Sequence, residues 1–472
     1  MIGELASAAG ALVAAPAPLA LETLTAAQIV VPTDGLSTPL TDRLRSLVGL
    51  AALVGIAWSL SRDRARVPWR LVGWGLALQI GFALLVLKTP AGERAFDGAG
   101  RLVTGLLGYT LEGAAFVFGN LVYDTVPVGV VGSGGFQAMP GQVAQTGAAF
   151  AFFVLPTIIF FSALMTVLYH LGVMQGVVRG FAWVMQRSLG TSGAETLSAA
   201  GNIFFGQTEA PLLVKPFVER MTQSELMSVM TAGFATVAGG VLAAYVGMMT
   251  PYFPDVAGHM IAASVMSAPA ALVVAKLMHP ETGEPQTSGS LEIAVEKPDV
   301  NVIDAAARGA SEGLHLALNV GAMLLAFVAL IHLCNGILGW AGGLVGFESL
   351  SLESVLGAAL APLAWLMGVA WSDAATVGSL LGIKTVLNEF VAYFQLAGTL
   401  GAGGGGLEPR SVIIATYALS GFANFGSIAI QIGGIGGIAP SRRHDLSRLG
   451  LRAMIGGSIA AFMTATVAGM IL

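Results

Sequence analysis

Apolar segments about as long as a bilayer is thick recur along this chain and constrain its fold more than any other feature. LVGWGLALQIGFALLVL, residues 71–87, is one of them. A transmembrane helix needs about 20 predominantly apolar residues to cross the hydrocarbon core. Only 10% of the residues are charged and 55% are hydrophobic, a balance that soluble domains do not show. The sequence therefore predicts an all-α polytopic membrane protein.

Eight segments are predicted to cross the membrane as helices. A further segment, residues 95–122, is amphipathic and carries Arg101 and Glu112 among apolar side chains, which favours a helix lying in the membrane interface. The predicted spans are residues 46–61, 71–87, 147–172, 224–249, 257–278, 313–339, 410–437 and 449–472.

Polar and interrupted stretches divide the chain into seven predicted parts. The most polar long connection separates the chain into two halves and is expected to be a cytoplasmic linker. The parts are an N-terminal extension (1–45), scaffold helices with the interfacial helix (46–172), a first hairpin with a broken helix and the following span (173–278), the linker (279–301), a scaffold helix and connection (302–365), a second hairpin with a broken helix (366–437) and a C-terminal helix (438–472).

The segment GNIFFGQTEAPLLVKPF, residues 201–217, places Gln207, Thr208 and Glu209 between two apolar stretches. Non-helical backbone at membrane depth is tolerated only where protein or a water-filled cavity covers it, and an acid there is functional by default. Pro211 suits the first turn of a departing half-helix, where its missing N–H costs little. We therefore predict a re-entrant hairpin whose tip faces a binding cavity.

A second interrupted region repeats this pattern. KTVLNEFVAYFQL, residues 384–396, places Asn388 and Glu389 in an apolar stretch. Each hairpin is followed by a broken span, GFATVAGGVLAAY at 233–245 and SGFANFGSIAIQIGGIGG at 420–437. Hairpins inserted from opposite faces predict an inverted-topology repeat that binds its substrate near the midplane. Alternating-access transport is the function that this arrangement indicates.

The distribution of basic residues sets the predicted orientation. With both termini on the outer side and each hairpin entering and leaving on one face, most Lys and Arg side chains fall on the cytoplasmic side, as the positive-inside rule requires. This distribution of basic residues requires eight full spans and two opposed re-entrant hairpins. It predicts an integral protein of a bacterial-type inner membrane.

Two other classes of function remain as alternatives. An intramembrane lipid-modifying enzyme would need a nucleophile or a metal cluster at an interface, whereas the acids here lie at mid-membrane tips without His or Cys nearby. A channel would not require two oppositely inserted gates. The formal charge of −5 argues against a nucleic-acid partner. We expect a transporter and not an enzyme.

Four motifs together resemble the concentrative nucleoside transporters, which couple nucleoside uptake to a cation. They are GQTEAPLLVKPF, ATVAGGVLAAYVGM, KTVLNEFVAYFQL and GFANFGSIAIQIGG, in the order and spacing of that family. The likeness covers roughly residues 46–472. It implies a homotrimer in the lipid bilayer, in which each subunit has a scaffold and a transport domain that moves like an elevator.

The resemblance also implies a role for each residue of the predicted substrate site. The Gln, Thr and Glu of the first tip address the nucleobase, and a valine after the first break packs against it. The acid of the second tip and residues of the second break hold the ribose, whose hydroxyl donors suit a carboxylate. The residues are Gln207, Thr208, Glu209 and Val241 for the base, and Glu389, Phe422, Asn424 and Ser427 for the ribose.

A cation site beside the first tip is implied in the same way. Sodium-coupled members of the family use an Asn, a tip carbonyl, a hydroxyl residue and the following carbonyl, which correspond to Asn202, Phe205, Thr236 and Val237. Oxygen-only ligation suits a hard cation such as sodium. Sodium is favoured, and a proton carried by one of the two tip acids is the alternative.

Asp373 and Lys384 are a further pair of charges in the second interrupted region. We expect them to pair and stabilise the second hairpin rather than to contact substrate.

Overall fold

The computed structural model describes residues 31, 36, 38–123, 125–132, 135–146, 150–289, 299–344, 346–347, 350–401 and 406–472. Most of the predicted N-terminal extension and part of the predicted linker lie outside these residues.

The described chain is mostly helical, as predicted. Its helices are α1 (Leu40–Ser59), α2 (Trp69–Lys88), α3 (Pro90–Phe118), α4 (Leu155–His170), α5 (Val173–Leu189), α6 (Gly193–Gly201), α7 (Lys215–Val218), α8 (Gln223–Ala235), α9 (Gly239–Met249), α10 (Val256–Met278), α11 (Val302–Leu344), α12 (Leu352–Met367), α13 (Trp371–Val386), α14 (Glu389–Gly401), α15 (Pro409–Leu419), α16 (Phe425–Ile438) and α17 (Arg443–Ile471).

Within the described residues, seven helical segments are long and apolar enough to cross a membrane, and eight if the bent pair α12 and α13 forms one span. The chain is therefore an integral membrane protein. The set differs from the predicted one in three places. Pro90–Val122, which includes the predicted interfacial helix 95–122, has the length and composition of a span. Helix α1 and the pair α15 and α16 were predicted to be spans and are not among the seven.

A two-stranded antiparallel hairpin, β1 (Thr125–Gly132) and β2 (Gly135–Gln145), departs from the predicted all-α fold. The sequence TVPVGVVG alternates valines with small residues, which suits an extended ladder. The stretch is also rich in Gly and Pro, which are depleted in strands. A break in register between Pro127 and Gly129 accommodates the proline.

The helices differ strongly in burial. Helices α8, α9, α10 and α17 are almost entirely buried and form the centre of the described structure. Helices α2, α4 and α11 bury only a minor part of their apolar surface. Polar groups of the predicted site lie on or next to the buried helices, so the centre of the protein positions the site.

The first interrupted region reverses direction after α6. The chain turns at residues 202–209 and continues as a 3₁₀ helix, Ala210–Val214, with Pro211 in its first turn as predicted. Helix α6 packs closely on this 3₁₀ helix, since a Cβ atom at Gly201 would lie 2.6 Å from Leu213 Cδ1. A side chain at this position would have to displace the Leu213 side chain.

The second interrupted region contains three helices. Helices α12 and α13 are bent by 116° relative to each other, and Gly368 with φ of 114° ends α12. Helices α13 and α14 are separated by only Leu387 and Asn388, and the Asn388 side chain accepts a hydrogen bond from the Val391 N–H at 2.9 Å. This bond caps α14 and places Glu389 in its first turn.

Each interrupted region is followed by a broken helix. Residues 236–238 separate α8 from α9, and residues 420–424 separate α15 from α16. The sequence predicts the first break at Thr236 to Gly240, and the structure begins it at Thr236 but ends it two residues earlier. The second break is predicted at Asn424, Gly426 and Ser427, and it ends at Asn424 because this residue caps α16 with a 2.8 Å hydrogen bond from the Ser427 N–H and thereby includes Ser427 in the helix. The Phe422 N–H donates to the Thr236 carbonyl at 3.3 Å, which joins the two breaks.

Candidate functional site

The second tip holds a buried carboxylate with both oxygens bonded. Glu389 is 5% exposed. Its Oε1 accepts from the Tyr245 hydroxyl at 2.9 Å and its Oε2 accepts from Asn424 Nδ2 at 3.0 Å. A carboxylate has about four lone-pair sites, so each oxygen keeps capacity for another donor. The helix N-terminus on which Glu389 lies also favours negative charge.

The orientation of the Asn424 amide is fixed by its two bonds. The oxygen accepts from the Ser427 N–H and the nitrogen donates to Glu389. The Ser427 hydroxyl accepts in turn from Gln207 Nε2 at 3.1 Å. The second break therefore connects the acid of the second tip with the amide of the first tip.

A second glutamine fixes the amide of the first tip. Gln431 Nε2 donates to Gln207 Oε1 at 3.0 Å and to the Met230 carbonyl at 3.1 Å. Gly233 makes room for this pair, since a Cβ atom there would lie 2.8 Å from Gln431 Nε2 and 3.0 Å from Gln207 Cβ. Gln207 and Gln431 are both buried. Their bonds hold the paired donor and acceptor of Gln207 in one orientation.

Glu209 differs from Glu389 in its surroundings. It is exposed, and its Oε1 accepts from the adjacent Thr208 hydroxyl at 3.1 Å. Its other oxygen lies over Gly206, where a Cβ atom would approach Oε2 to 2.1 Å. Thr208 packs against Gly434. The acid of the first tip is thus on an open surface.

That surface lines a cavity of about 310 Å³ between the first tip, the first break and helices α4 and α11. Glu209, Phe205 and Val241 line it from the inner helices, and Glu312 is among the residues that line it from α11. The cavity has the volume typical of small-molecule sites. Glu389, Asn424, Ser427 and Gln207 are not among its lining residues.

An ion pair lies at one side of this cavity. The Arg308 guanidinium lines it and donates to both carboxylate oxygens of Asp299, at 2.6 and 2.9 Å, and to Glu312 at 2.8 Å. The bidentate guanidinium holds the pKa of the Asp299 carboxyl below its usual range. The arrangement fixes the first turns of α11 where they face the first tip.

Two residues of the predicted cation site, Thr236 and Val237, lie in the first break, and Asn202 follows α6 at the start of the first tip. Asn202, Thr236 and Val237 are all buried. Asn202 Nδ2 donates to the Ser198 carbonyl at 3.0 Å, and Asn202 Oδ1 is buried without a hydrogen-bond partner among the described residues. A buried unpaired acceptor is costly, and a bound cation would satisfy it. The Gly239 N–H, which donates to the Phe204 carbonyl at 3.1 Å, holds the tip against the break.

The atoms available at this site to ligate a cation are neutral oxygens. Among the described residues, no group of three or more His, Cys, Asp or Glu side chains is placed to hold a metal ion. An amide oxygen, a hydroxyl and backbone carbonyls suit a hard monovalent cation. The residues therefore fit sodium.

Two residues of the network were not singled out from the sequence. Tyr245 and Gln431 both occur inside the quoted motifs, as polar groups in predominantly apolar helices. A polar side chain within a span is itself a signal of a buried partner. Which partner it meets depends on how the broken helices pack.

The predicted pairing of Asp373 with Lys384 is wrong. Both lie on α13, eleven positions apart, which separates them by about 16 Å along the axis. Asp373 accepts from the Glu408 N–H at 2.9 Å, and Lys384 donates to the Ala418 carbonyl at 2.7 Å.

A helical membrane protein with two polar tips joined through two broken helices belongs to the class of membrane transporters. Family models match most of the chain: the N-terminus of Na⁺ dependent nucleoside transporters at residues 48–121, a nucleoside recognition region at 151–252, and the C-terminus of Na⁺ dependent nucleoside transporters at 259–469. The chain belongs to the concentrative nucleoside transporter family. The β-hairpin lies between the first two matched regions.

Relatives and solved structures agree with this assignment. An uncharacterized transporter of Haemophilus influenzae is 46% identical over 91% of this chain and 98% of its own length. Sodium/nucleoside cotransporter 1 of Rattus norvegicus is 41% identical over 91% of this chain, which spans 64% of that protein. CNTnw in an inward-facing substrate-bound state has a TM-score of 0.80 and 44% identity, covering 91% of this chain and 97% of its own. The relatives are transporters and not enzymes, as predicted.

Proposed function

We propose that this protein imports nucleosides by sodium symport. The observation that carries the proposal is the hydrogen-bond network that links the two tips. It consists of Glu389, Asn424, Ser427 and Gln207. This network presents a carboxylate with free lone pairs next to an amide whose donor and acceptor are both oriented. Ribose hydroxyls are donors and need the carboxylate as their acceptor. The edge of a base presents both a donor and an acceptor and needs the amide.

Each group has a defined task in this proposal. The ribose is held by Glu389, Phe422, Asn424 and Ser427. Gln207, Thr208 and Glu209 bind the nucleobase, and Val241 supplies an apolar wall that excludes water and strengthens each hydrogen bond. The cavity beside Glu209 admits the base to the first tip.

Sodium is the proposed co-transported ion, held by Asn202, the Phe205 carbonyl, Thr236 and the Val237 carbonyl. Binding there would order the first break, which touches the second through the Phe422 N–H. An ion that orders the breaks favours the substrate-binding arrangement of both tips, and the substrate favours the ion in return. A proton on Glu209 or Glu389 is the alternative driving cation.

Uptake of labelled uridine into proteoliposomes tests the function. A sodium gradient directed inwards should drive accumulation, and potassium in place of sodium should abolish it. Accumulation that ignores sodium but follows a pH gradient would replace sodium by a proton. Absence of uridine uptake and binding under both gradients would contradict nucleoside transport.

We further propose an elevator movement, in which the two hairpins and the buried helices slide as one body against α2, α4 and α11 in each subunit of a homotrimer. The difference in burial between the two sets of helices supports a division into a mobile part and a scaffold. The predicted orientation, with both termini outside an inner membrane, is part of this proposal.

A disulfide between the two sets of helices would test the movement. An ideal Cβ atom at Gly240 on α9 lies 3.9 Å from Phe161 Cβ on α4, within the range for a disulfide. With Cys334 replaced by Ser, the variant Gly240→Cys with Phe161→Cys should lose uptake on oxidation, regain it on reduction and bind uridine in both states. The single-cysteine variants under the same oxidant are the controls. Uptake that persists with the disulfide formed would rule out sliding between α4 and α9.

A further inference from the structure

Lys384 is a buried charge that the proposed function leaves unexplained. Its side chain is fully buried on α13. The ammonium donates to the Ala418 carbonyl at 2.7 Å and lies 5.8 Å from the centre of the Phe462 ring. Burying an ammonium costs several kcal/mol unless opposite charge or dipoles compensate it. Ionisable residues at membrane depth are rare and mark functional positions.

The Ala418 carbonyl is available because the helix breaks there. In a continuous helix it would accept from the Phe422 N–H, four residues later. That N–H donates instead to the Thr236 carbonyl at the first break. The carbonyl end of α15 therefore carries the partial negative charge of a helix C-terminus, and Lys384 neutralises it.

The first broken helix ends in the same way without a lysine at its break. Helix α8 ends at Ala235, and Thr236 and Val237 of the candidate sodium site follow it directly. The buried Lys276 ammonium of α10 bonds Glu195 Oε2 at 2.8 Å and Ser224 Oγ at 2.9 Å, and Ser224 lies at the opposite end of α8 from the break. A cation is thus built in at the second break, whereas the residues named for the candidate sodium site at the first break offer only neutral oxygens.

We propose that the Lys384 ammonium is a tethered cation that does at the second broken helix what the transported sodium ion does at the first. It holds the break between α15 and α16 against the second hairpin and so positions Asn424 and Glu389 for the ribose. Lys384 is a positioning residue, since it acts through the break. The inference rests on the proposed function for its readout of nucleoside binding.

Two variants separate the charge of Lys384 from its volume. Lys384→Met keeps most of the stem and removes the charge, and Lys384→Ala also leaves a space that a small amine can enter. Both should weaken uridine binding at saturating sodium by at least about tenfold, the worth of one hydrogen bond from a charged donor. Methylammonium should restore several-fold of the lost affinity in Lys384→Ala and have no effect on Lys384→Met.

Leu381→Ala is the matched control, because Leu381 is equally buried on the same helix and carries no charge. Amine rescue confined to Lys384→Ala supports the tethered cation. Affinity within twofold of wild type in Lys384→Met, a loss in Lys384→Ala that methylammonium does not recover, or failure of both variants to fold as assembled protein would each overturn it. If wild-type affinity ignores sodium but the rescue occurs, the sodium assignment fails and the role of Lys384 stands.

Discussion

The two tips of this transporter carry the same acid in opposite states. Glu389 is enclosed, and Tyr245 and Asn424 occupy one position on each of its oxygens. Glu209 is exposed to a cavity and accepts a hydrogen bond from its neighbour Thr208. One half of the site is therefore already assembled, and the other half is open. Under the proposed function, this difference means that ribose binding at Glu389 is preorganised, whereas the contact of Glu209 with the base leaves room for adjustment.

The largest effect is expected at the enclosed tip. Glu389→Gln should keep the fold, since an amide can still accept from Asn424 and meet the Tyr245 hydroxyl. It cannot offer both oxygens to ribose hydroxyls, and two bonds to a charged acceptor are worth about 1.5–3 kcal/mol each. Concentrative uridine uptake should therefore be abolished and binding weakened at least about 100-fold, with trimer assembly by size-exclusion chromatography unchanged. Near-normal uptake would remove Glu389 from the site.

The next effect concerns the ion beside the open half. Asn202→Leu with Thr236→Val should erase the dependence of uridine affinity on sodium and leave the weak sodium-free value. The expected coupling in wild type is about 1–3 kcal/mol, or roughly 5–150-fold. Uridine binding at fixed pH across a sodium series, with choline holding the ionic strength constant, measures it. Wild-type affinity that is the same at all sodium concentrations would contradict the sodium site before the variant is made.

The smallest effect is expected at the open tip. Glu209→Gln removes the charge of an exposed acid whose bond to Thr208 an amide oxygen can still accept. Uridine affinity should fall by roughly tenfold or less, the worth of about one hydrogen bond, and the loss should depend on which base is tested. Titrations with several nucleosides would show this. A loss of affinity as large as that of Glu389→Gln and equal for all bases would contradict the proposed difference between the enclosed and the open tip.

Much of this arrangement could be predicted from the sequence, because the membrane leaves few choices. Apolar length located the long helices, and small residues located the first break at Thr236. The second break was displaced because its position depends on a single capping bond from Ser427 to Asn424. The β-hairpin at Thr125–Gln145 was missed because Gly and Pro in that stretch outweighed its valines.

Tertiary contacts set the limit of prediction for the site. Motif positions named the two tip acids, but nothing in the sequence distinguishes the enclosed from the exposed one. That difference arises because Tyr245 and Gln431 approach from other helices. The pairing expected for Lys384 failed for the same reason, since its partner is a carbonyl exposed only where α15 stops.

Helix α11 has a consequence for the bilayer around the protein. It contains 43 residues, about 65 Å at 1.5 Å per residue, whereas the hydrocarbon core is about 30 Å thick. Large apolar side chains are exposed along it from Leu314 to Leu344, a stretch of about 45 Å. To keep this surface out of water the helix must lean steeply, thicken the surrounding lipid or be covered by a neighbouring subunit. Where α11 faces lipid, acyl-chain length thus acts on its tilt and, through Arg308 and Glu312, on the wall of the cavity beside Glu209.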